Sequence, residues 1–288
     1  MTFFWILIII VIFSFALDYG IGHMYAYDSP PHNRTPEKFD IPFEEIAIPT
    51  ADGGSLYGWW MLNSPDAPTI ILTHGWGRNI ERMMAYIRKL HPLGYNLLAF
   101  DARNHGSSTK LKHPTVGTFT ADVLAVLDYI SASENISSQE IGLIGLSIGG
   151  GASIAAAGQD ERVRAAVTVG AMSHPIKVMR GQFEKQRVPQ FVGTLLFGYM
   201  RLRYGFDFEK IAPASHISKT DAAIFLIHGE NDETIPLEQS DDLHAANLEK
   251  THLWVVPEKG HSDCHYHPEF WEKVGAFLAE NLPIEQSY

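Results

Sequence analysis

A serine between two glycines is the side chain of this sequence best placed to do chemistry. Residues 145–149 read GLSIG, with Ser147 at the centre. The apolar run at 140–145 is typical of a short buried strand, and residues 148–157, rich in Gly and Ala, predict a helix. Ser147 therefore falls on a strand-to-helix turn, where small neighbours allow close packing and backbone strain turns the hydroxyl outward. An ordinary turn serine is the competing interpretation.

Six apolar runs alternate with helical patterns and predict the framework that must position this serine. They lie at residues 69–73, 95–100, 141–145, 165–169, 223–227 and 252–256. Such alternation predicts parallel strands joined by right-handed crossovers, and ligands of such sheets bind at the carboxyl ends of the strands. His74, Ser147, Asp232 and His261 each follow one of these runs, so we expect them at one edge of the sheet. An antiparallel pair at the sheet edge is also predicted, from the alternation at 44–49 and 55–62 around a turn at 52–54.

Over residues 40–282 the chain resembles the α/β-hydrolase family. The resemblance depends on three segments: GLSIG, the strand and acid loop AAIFLIHGENDETIP at 222–236, and the loop VPEKGHSD at 256–263. It implies an α/β-hydrolase fold with a mostly parallel sheet, helices on both faces and a small cap insertion. It also implies a catalytic triad in the chain order serine, acid, histidine, which here is Ser147, Asp232 and His261. The finer likeness is to esterase-like and serine-aminopeptidase-like members with a hydrophobic N-terminus.

Elementary chemistry gives each of these residues a role. Because a serine hydroxyl is nearly unreactive at neutral pH, Ser147 needs a base, and His261 would accept its proton and later pass it to the leaving group. Asp232 would hold the second ring N–H and stabilise the imidazolium. The oxyanion formed at the serine needs two donors. One would be the backbone N–H of Ile148 at the start of the helix, and the resemblance implies that of Trp76 as the other.

Two further segments are expected to brace the site without taking part in the chemistry. His74 would lie beneath the oxyanion loop, where its ring can fix the shape of the loop. Residues 101–108 (DARNHGSS) match a stretch of the family except at Asn104, where the family usually has Gly. We expect Asp101 and Arg103 to pair in this segment.

Neighbouring residues leave alternatives open. Asp232 could act only as a helix N-cap, and Glu230 is a competing acid. The histidine could instead be one of two that follow in the same loop, which together with a cysteine also invite a zinc site: His261, Cys264, His265 and His267. Their spacing matches no paired ligand motif, and the glycines at 149–151 lack the Lys-Ser/Thr of a phosphate loop. We therefore expect neither a metal nor a cofactor.

The N-terminus predicts a membrane segment. Residues 3–17 are apolar without a single charge, and as a helix they would span about 22 Å, short of a hydrocarbon core of roughly 30 Å unless residues 19–25 lie at the interface. We expect residues 1–25 to form a single-pass membrane anchor, with a signal peptide cleaved on secretion as the alternative. Residues 26–40 contain three prolines and predict a linker. Residues 41–288 would form the α/β-hydrolase domain, with residues 172–216 either as a cap over the site or as helix packed at the sheet edge.

Composition narrows the function but leaves the substrate open. The 288 residues carry a formal net charge of −11, which disfavours a nucleic-acid partner, and the single Cys264 excludes an internal disulfide. We expect a serine hydrolase that cleaves carboxylic esters or thioesters through an acyl-enzyme on Ser147, with a small-molecule ester or amide as its partner. The alternatives are an aminopeptidase-like amide hydrolase and, in another class, a non-catalytic membrane-tethered binding protein. Nothing in the sequence decides the oligomeric state.

Overall fold

A mixed sheet forms the centre of the molecule. The computed structural model describes residues 2–25, 31–137 and 139–284, and within them the sheet has eight strands. In chain order these are β1 (Glu44–Pro49), β2 (Ser55–Met61), β3 (Thr69–Thr73), β4 (Asn96–Phe100), β5 (Ile141–Leu146), β6 (Val163–Val169), β7 (Ala223–Gly229) and β8 (Thr251–Val256). Their spatial order is β1-β2-β4-β3-β5-β6-β7-β8. The pairs β1–β2 and β2–β4 are antiparallel and the remaining pairs are parallel, which confirms the predicted sheet and its antiparallel edge.

Helices cover both faces of the sheet because the parallel strands are apolar on both. The helices are α1 (Thr2–Tyr25), α2 (Met84–Leu90), α3 (Val116–Ser131), α4 (Ile148–Ala157), α5 (Pro175–Lys185), α6 (Gln190–Tyr204), α7 (Phe208–Ile211), α8 (Ala214–Ile217), α9 (Glu238–Ala246) and α10 (Phe270–Asn281). Buried side chains of α3, α4, α8 and α9 form the core on one face, and those of α2 and α10 form the core on the other.

Strand register brings the predicted site residues to one edge of the sheet. Thr73 pairs with both Phe100 and Gly145, and Leu146 pairs with Val169. Further along, Val169 pairs with Ile227, and Gly229 pairs with Val256. The carboxyl ends of the parallel strands therefore lie side by side, and the loops that follow them meet there.

Four helices, α5 to α8, fill the chain between β6 and β7, where the sequence leaves open a cap over the site or a helix packed at the sheet edge; we call them the cap helices. Three of them, α5, α6 and α7, share a third apolar cluster with α1, in which Ile21, Phe197, Met200 and Phe208 are buried. Of the members of this cluster, Ile211 also packs against the core on one face of the sheet.

The apolar N-terminus forms the 24-residue helix α1. No helix in the described part of the chain is both long enough and apolar enough to cross a membrane, so the predicted membrane-spanning helix is not supported. The second half of α1, expected at a membrane interface, contacts the protein instead: Ile21 is only 2 % exposed against α6 and α7. Where the protein resides stays a prediction.

The segment predicted as a linker contacts the rest of the protein where the structure describes it. Residues 26–30 of that segment lie outside the described residues. The His32 ring stacks on Tyr57 with 5.0 Å between ring centroids, and its Nε2 lies 2.8 Å from the carboxylate of Asp101. A short 3₁₀ helix follows at Pro36–Phe39, with Pro36 buried.

Candidate active site

The turn that carries Ser147 holds a strained backbone. Ser147 has φ 56° and ψ −120°, a left-handed conformation that L residues rarely adopt. Its N–H donates to the carbonyl of Val169 at 2.8 Å, and its own carbonyl accepts from Gly151 at 3.1 Å as α4 begins. A Cβ at Gly149 would overlap the carbonyl oxygen of His74, and one at Gly145 would overlap that of Gly149. The glycines on both sides therefore allow strand and helix to meet tightly enough to hold this turn.

Asp232 and His261 form a hydrogen-bonded pair on the loops after β7 and β8. Nδ1 of His261 donates to Oδ2 of Asp232 at 2.7 Å. The other carboxylate oxygen, Oδ1, accepts from the backbone N–H groups of Thr234 at 2.8 Å and Ile235 at 2.9 Å. With Nδ1 holding its proton toward the carboxylate, Nε2 is the ring atom left to act as a base. Asp232 thus holds the turn that follows it and binds His261 as well. It is not a helix N-cap, because the next helix, α9, begins only at Glu238 and has Leu237 at its N-cap position.

The charge of Asp232 is stabilised where it stands. Burial alone would raise the pKa of its carboxyl group, but the hydrogen bond from His261 and those from the backbone of Ile235 and Thr234 outweigh that effect, so the pKa is lowered. The carboxylate is therefore ionised at neutral pH and can stabilise a positive charge on the imidazole.

Gly170 lies between the turn that carries Ser147 and the pair formed by Asp232 and His261. It follows Val169, whose carbonyl binds Ser147, and it has φ +61°. A Cβ at this position would lie 3.0 Å from Nδ1 of His261 and 3.2 Å from Oδ2 of Asp232. A side chain here would crowd the ring beside the end of β6, and the positive φ also favours glycine.

The hydroxyl of Ser147 makes no direct hydrogen bond to Nε2 of His261 among the described contacts. Hydrogen bonds of this kind are often long until a substrate is bound. The structure therefore brings all three predicted residues to the same edge of the sheet, and it shows the direct bond for two of them.

His228 lies within β7 and supports the loop that carries Asp232. The sequence alone assigns it no role. Its ring is fully buried, with Nδ1 2.6 Å from the hydroxyl of Ser240 and Nε2 2.8 Å from the carbonyl of Ile235. Nε2 also lies 3.4 Å from Oδ2 of Asp232. The sequence feature that could have indicated this role is a histidine inside an apolar strand. A buried ring needs hydrogen-bond partners for both of its nitrogens.

Two buried histidines hold the loop that contains Trp76. His74 binds the carbonyl of Gly75 through Nδ1 at 2.7 Å and accepts the N–H of Ala102 at Nε2 at 3.1 Å. His105 accepts the N–H of Gly77 at Nε2, also at 3.1 Å. Burial lowers the pKa of both rings, that of His105 to about 3, so both stay neutral and keep one nitrogen free to accept.

The loop held in this way lies directly against the turn that carries Ser147. A Cβ at Gly75 would stand 3.4 Å from Cβ of Ser147. Trp76 follows Gly75, and Ile148 follows Ser147, so both predicted oxyanion donors adjoin the serine. Their role as donors stays a prediction.

The predicted ion pair between Asp101 and Arg103 is wrong. Asp101 is fully buried and accepts from the backbone N–H groups of Ile80 at 2.7 Å and Ser107 at 2.8 Å. The guanidinium of Arg103 instead binds Asp122 on α3 and Asp52 in the β1–β2 turn. The two side chains are separated because each is drawn to donors or acceptors on different elements, which spacing alone does not reveal.

The competing residues of the two loops have other contacts. Glu230 accepts the backbone N–H of Glu258 at 3.1 Å. The ring of His265 packs against Tyr266 and Tyr86, and burial lowers its pKa to about 4. Among the described residues no group of three His, Cys, Asp or Glu side chains is arranged to hold a metal ion.

An apolar cavity of about 200 Å³ opens beside the serine turn. Its walls come from α1, the Trp76 loop, the start of α3, the start of α4 and the cap helices. The lining residues are Met24, Tyr25, Trp76, Pro114, Thr115, Val116, Ile148, Met172, Pro175, Val178, Met179, Phe208 and Ile211. A larger cavity of about 690 Å³ lies at the opposite edge of the sheet, among polar residues such as Arg162 and Asp221, and none of the candidate site residues lines it.

Comparison with known proteins agrees with this architecture. A protein-family model described as alpha/beta hydrolase fold matches residues 68–197. The uncharacterized protein YfhR of Salmonella typhi is 26% identical over 269 residues, which cover 90% of this chain and 87% of YfhR. The uncharacterized protein YqkD of Bacillus subtilis is 24% identical over 227 residues, which cover 75% of this chain and 72% of YqkD. The solved structure of the esterase Pf2001 of Pyrococcus furiosus superposes with a TM-score of 0.72 at 25% identity, covering 88% of this chain and 98% of that one. The fold, the family match over residues 68–197 and the structural neighbours together support membership of the α/β-hydrolase family.

Proposed function

We propose that the protein is a serine hydrolase that cleaves carboxylic esters with an apolar acyl group. The hydroxyl oxygen of Ser147 attacks the ester carbonyl carbon while Nε2 of His261 takes its proton. The ester C–O bond then breaks, and the alcohol leaves with that proton. Water, activated by the same ring, releases the acid from the acyl-enzyme. Asp232 holds the ring and its charge throughout, and the N–H groups of Ile148 and Trp76 stabilise the oxyanion.

The apolar cavity is the observation that carries the ester assignment. Trp76 and Ile148 lie in its wall, so the cavity borders the place where these two N–H groups would bind the oxyanion of the substrate. An apolar group gains free energy by leaving water for such a cavity. A substrate for an aminopeptidase carries a cationic amine beside its scissile bond and needs an acidic partner, and none of the described residues lining the cavity has a carboxylate. The pocket therefore supports an ester or thioester over an amino-terminal peptide.

Labelling with a fluorophosphonate probe tests the proposal. We expect covalent modification of Ser147 in the wild-type protein, no labelling in Ser147→Ala, and a fall of several orders of magnitude in His261→Ala because the nucleophile loses its base. Hydrolysis of p-nitrophenyl esters should fall in parallel. Equal labelling of all three proteins would overturn the proposal, and wild-type protein that neither reacts with the probe nor cleaves any ester would favour the non-catalytic binding protein.

A further inference from the structure

We infer that helix α1 is a working part of the substrate site: its last turn forms the wall that limits the acyl group, and Asp18 holds that turn in place against the cap. This inference rests on the proposed ester hydrolysis and names the residues that select the substrate. The helix was expected to act only as an attachment, so its position over the pocket is a separate finding.

The wall itself is formed by Met24 and Tyr25. Both line the apolar cavity and share it with Trp76, Ile148 and Phe208. The Tyr25 ring meets the Trp76 ring edge to face, with 5.9 Å between their centroids at 69°. An aromatic side chain in contact with the residue that carries a predicted oxyanion donor limits how far a bound acyl chain can extend past that point.

A second aromatic contact continues from this wall into the cap. The Tyr25 ring meets the ring of His113 at 5.4 Å, and His113 meets Tyr204 of α6 at 4.3 Å. The end of α1 is thus packed between the Trp76 loop and the cap.

One carboxylate fixes the helix at the point where it reaches the cap. Oδ1 of Asp18 accepts from the hydroxyl groups of Tyr199 at 2.7 Å and Tyr204 at 2.5 Å. Oδ2 of Asp18 lies 3.2 Å from Nη2 of Arg203. All three partners belong to α6, and hydrogen bonds to a charged acceptor are the stronger kind. Asp18 lies about two helical turns before Tyr25, so this contact sets where the last turn stands.

The size of the cavity indicates the substrate that this wall selects. A dry apolar cavity of about 150 Å³ is large enough for benzene, so about 200 Å³ suits an acyl group of roughly six to eight carbons. Shorter acyl groups leave the cavity partly empty, and longer ones meet Tyr25. We therefore assign medium-chain carboxylic esters as the substrate class.

The selectivity test compares p-nitrophenyl esters from acetate to dodecanoate. In Tyr25→Ala the preferred acyl chain should lengthen, with the ratio of kcat/KM for dodecanoate over hexanoate rising by about tenfold or more, the smallest effect that one methylene usually has. Met24→Trp fills the same cavity and should shift the preference toward shorter chains. Tyr19→Ala is the matched control, because Tyr19 lies on the same helix and is 80 % exposed.

The possible outcomes distinguish the role of α1 in selecting the acyl group from the proposed ester hydrolysis. Should Tyr25→Ala fail to fold, Met24→Trp alone decides. Chain-length profiles that match the wild type in both folded variants, with Ser147 still labelled by the fluorophosphonate, would overturn the role of α1 and leave the hydrolase standing. Loss of labelling in the wild type would instead overturn the hydrolase.

The positioning role of Asp18 has its own readout. Asp18→Ala removes the acceptor for two tyrosine hydroxyls, so KM for hexanoate should rise several-fold, and by more than KM for acetate, whose acyl group does not reach the wall. Asp18→Asn keeps an acceptor oxygen for the tyrosines and should recover part of the loss. Equal loss of kcat for acetate and hexanoate would indicate a general defect of folding and contradict the inference.

Discussion

Asp232 serves two kinds of donor with its two oxygens. One oxygen binds the ring of His261, and the other binds two backbone N–H groups of its own loop. This arrangement separates the chemistry of the residue from its part in folding. A substitution that keeps one oxygen as an acceptor should therefore preserve the structure of the loop and disturb only the hydrogen bond to the His261 ring.

Asp232→Asn makes that separation measurable. The amide oxygen can still accept from Thr234 and Ile235, while the amide N–H faces Nδ1 of His261 and forces the proton onto Nε2. We expect kcat for a hexanoate ester to fall by about a thousand- to ten-thousand-fold, with an unchanged circular dichroism spectrum.

Glu230→Gln is the matched control for this prediction, because Glu230 lies in the same loop and its side chain accepts a hydrogen bond from the backbone of Glu258, away from His261. Its kcat should stay within about twofold of wild type. A larger loss in Glu230→Gln than in Asp232→Asn would move the acid role to Glu230.

The sequence could identify the residues at strand ends and one residue that supports them, His74, but not the other supporting residues. Ser147, Asp232 and His261 stand in recognisable local patterns, and the order of the runs placed them at one edge. Gly170, His105 and His228 act through contacts that form only when strands and loops are in register. The same limit explains the wrong pairing of Arg103, since its partners Asp122 and Asp52 are 19 and 51 residues away in the chain.

At the scale of elements, the junction between β5 and α4 leaves no space for added atoms. The Cα of Gly149 faces the end of β3, where a Cβ would lie 2.6 Å from the carbonyl oxygen of Thr73. A backbone carbonyl cannot move aside to make room for the added Cβ, as the end of a flexible side chain could. The strained Ser147 turn is held by this contact.

Gly149→Ala should therefore cost about 3 kcal/mol or more of the free energy of unfolding, in the range of overpacked core positions. Gly275→Ala is the control: it lies inside α10 with nothing within 4 Å of its added Cβ, and alanine should stabilise that helix by about 0.5–1 kcal/mol. Urea unfolding of both variants checks the pair. Equal effects would show that the junction tolerates a side chain.

The strands were predictable because buried parallel strands are short apolar runs, and all six such runs became strands. The antiparallel edge followed from its alternation and turn. The position of α1 was not predictable, since an apolar helix with no polar stripe gives no indication of which side will pack. The four-residue helices α7 and α8 also escape sequence patterns, because helices this short depend on their tertiary surroundings.

For the whole molecule, buried neutral histidines link stability to pH. Burial lowers the pKa of His74, of His105 to about 3 and of His265 to about 4. In the unfolded chain each has a pKa near 6.5, so below that pH the unfolded state binds protons that the folded state does not. The contribution of these rings is present above pH 6.5 and is lost as the pH falls.

His105→Gln should reduce the loss of stability between pH 6.5 and pH 5 by on the order of 1–2 kcal/mol, measured by urea unfolding at each pH. His252→Gln, at an exposed position on β8, is the control and should keep the wild-type slope. The comparison between variants is needed because two other groups change the stability in the opposite direction as the pH falls. Their pKa values are higher in the folded state, so protonation of these groups favours folding. Burial raises the pKa of Asp122 to about 6, and the hydrogen bond to Asp101 raises that of His32. Identical slopes in wild type and His105→Gln would contradict the prediction.

The third apolar cluster, formed by α1 and the cap helices, has a consequence for how relatives of this protein diverge. It touches one core of the sheet through Ile211 and the Trp76 loop through Tyr25, but it has its own buried residues. Substitutions that share few partners add without coupling, so evolution can remodel the buried members Ile21, Phe197 and Met200, which do not line the apolar cavity, while the Ser147 turn keeps its geometry. On the proposed function, new substrate preferences then arise by drift in this cluster without loss of the hydrolase.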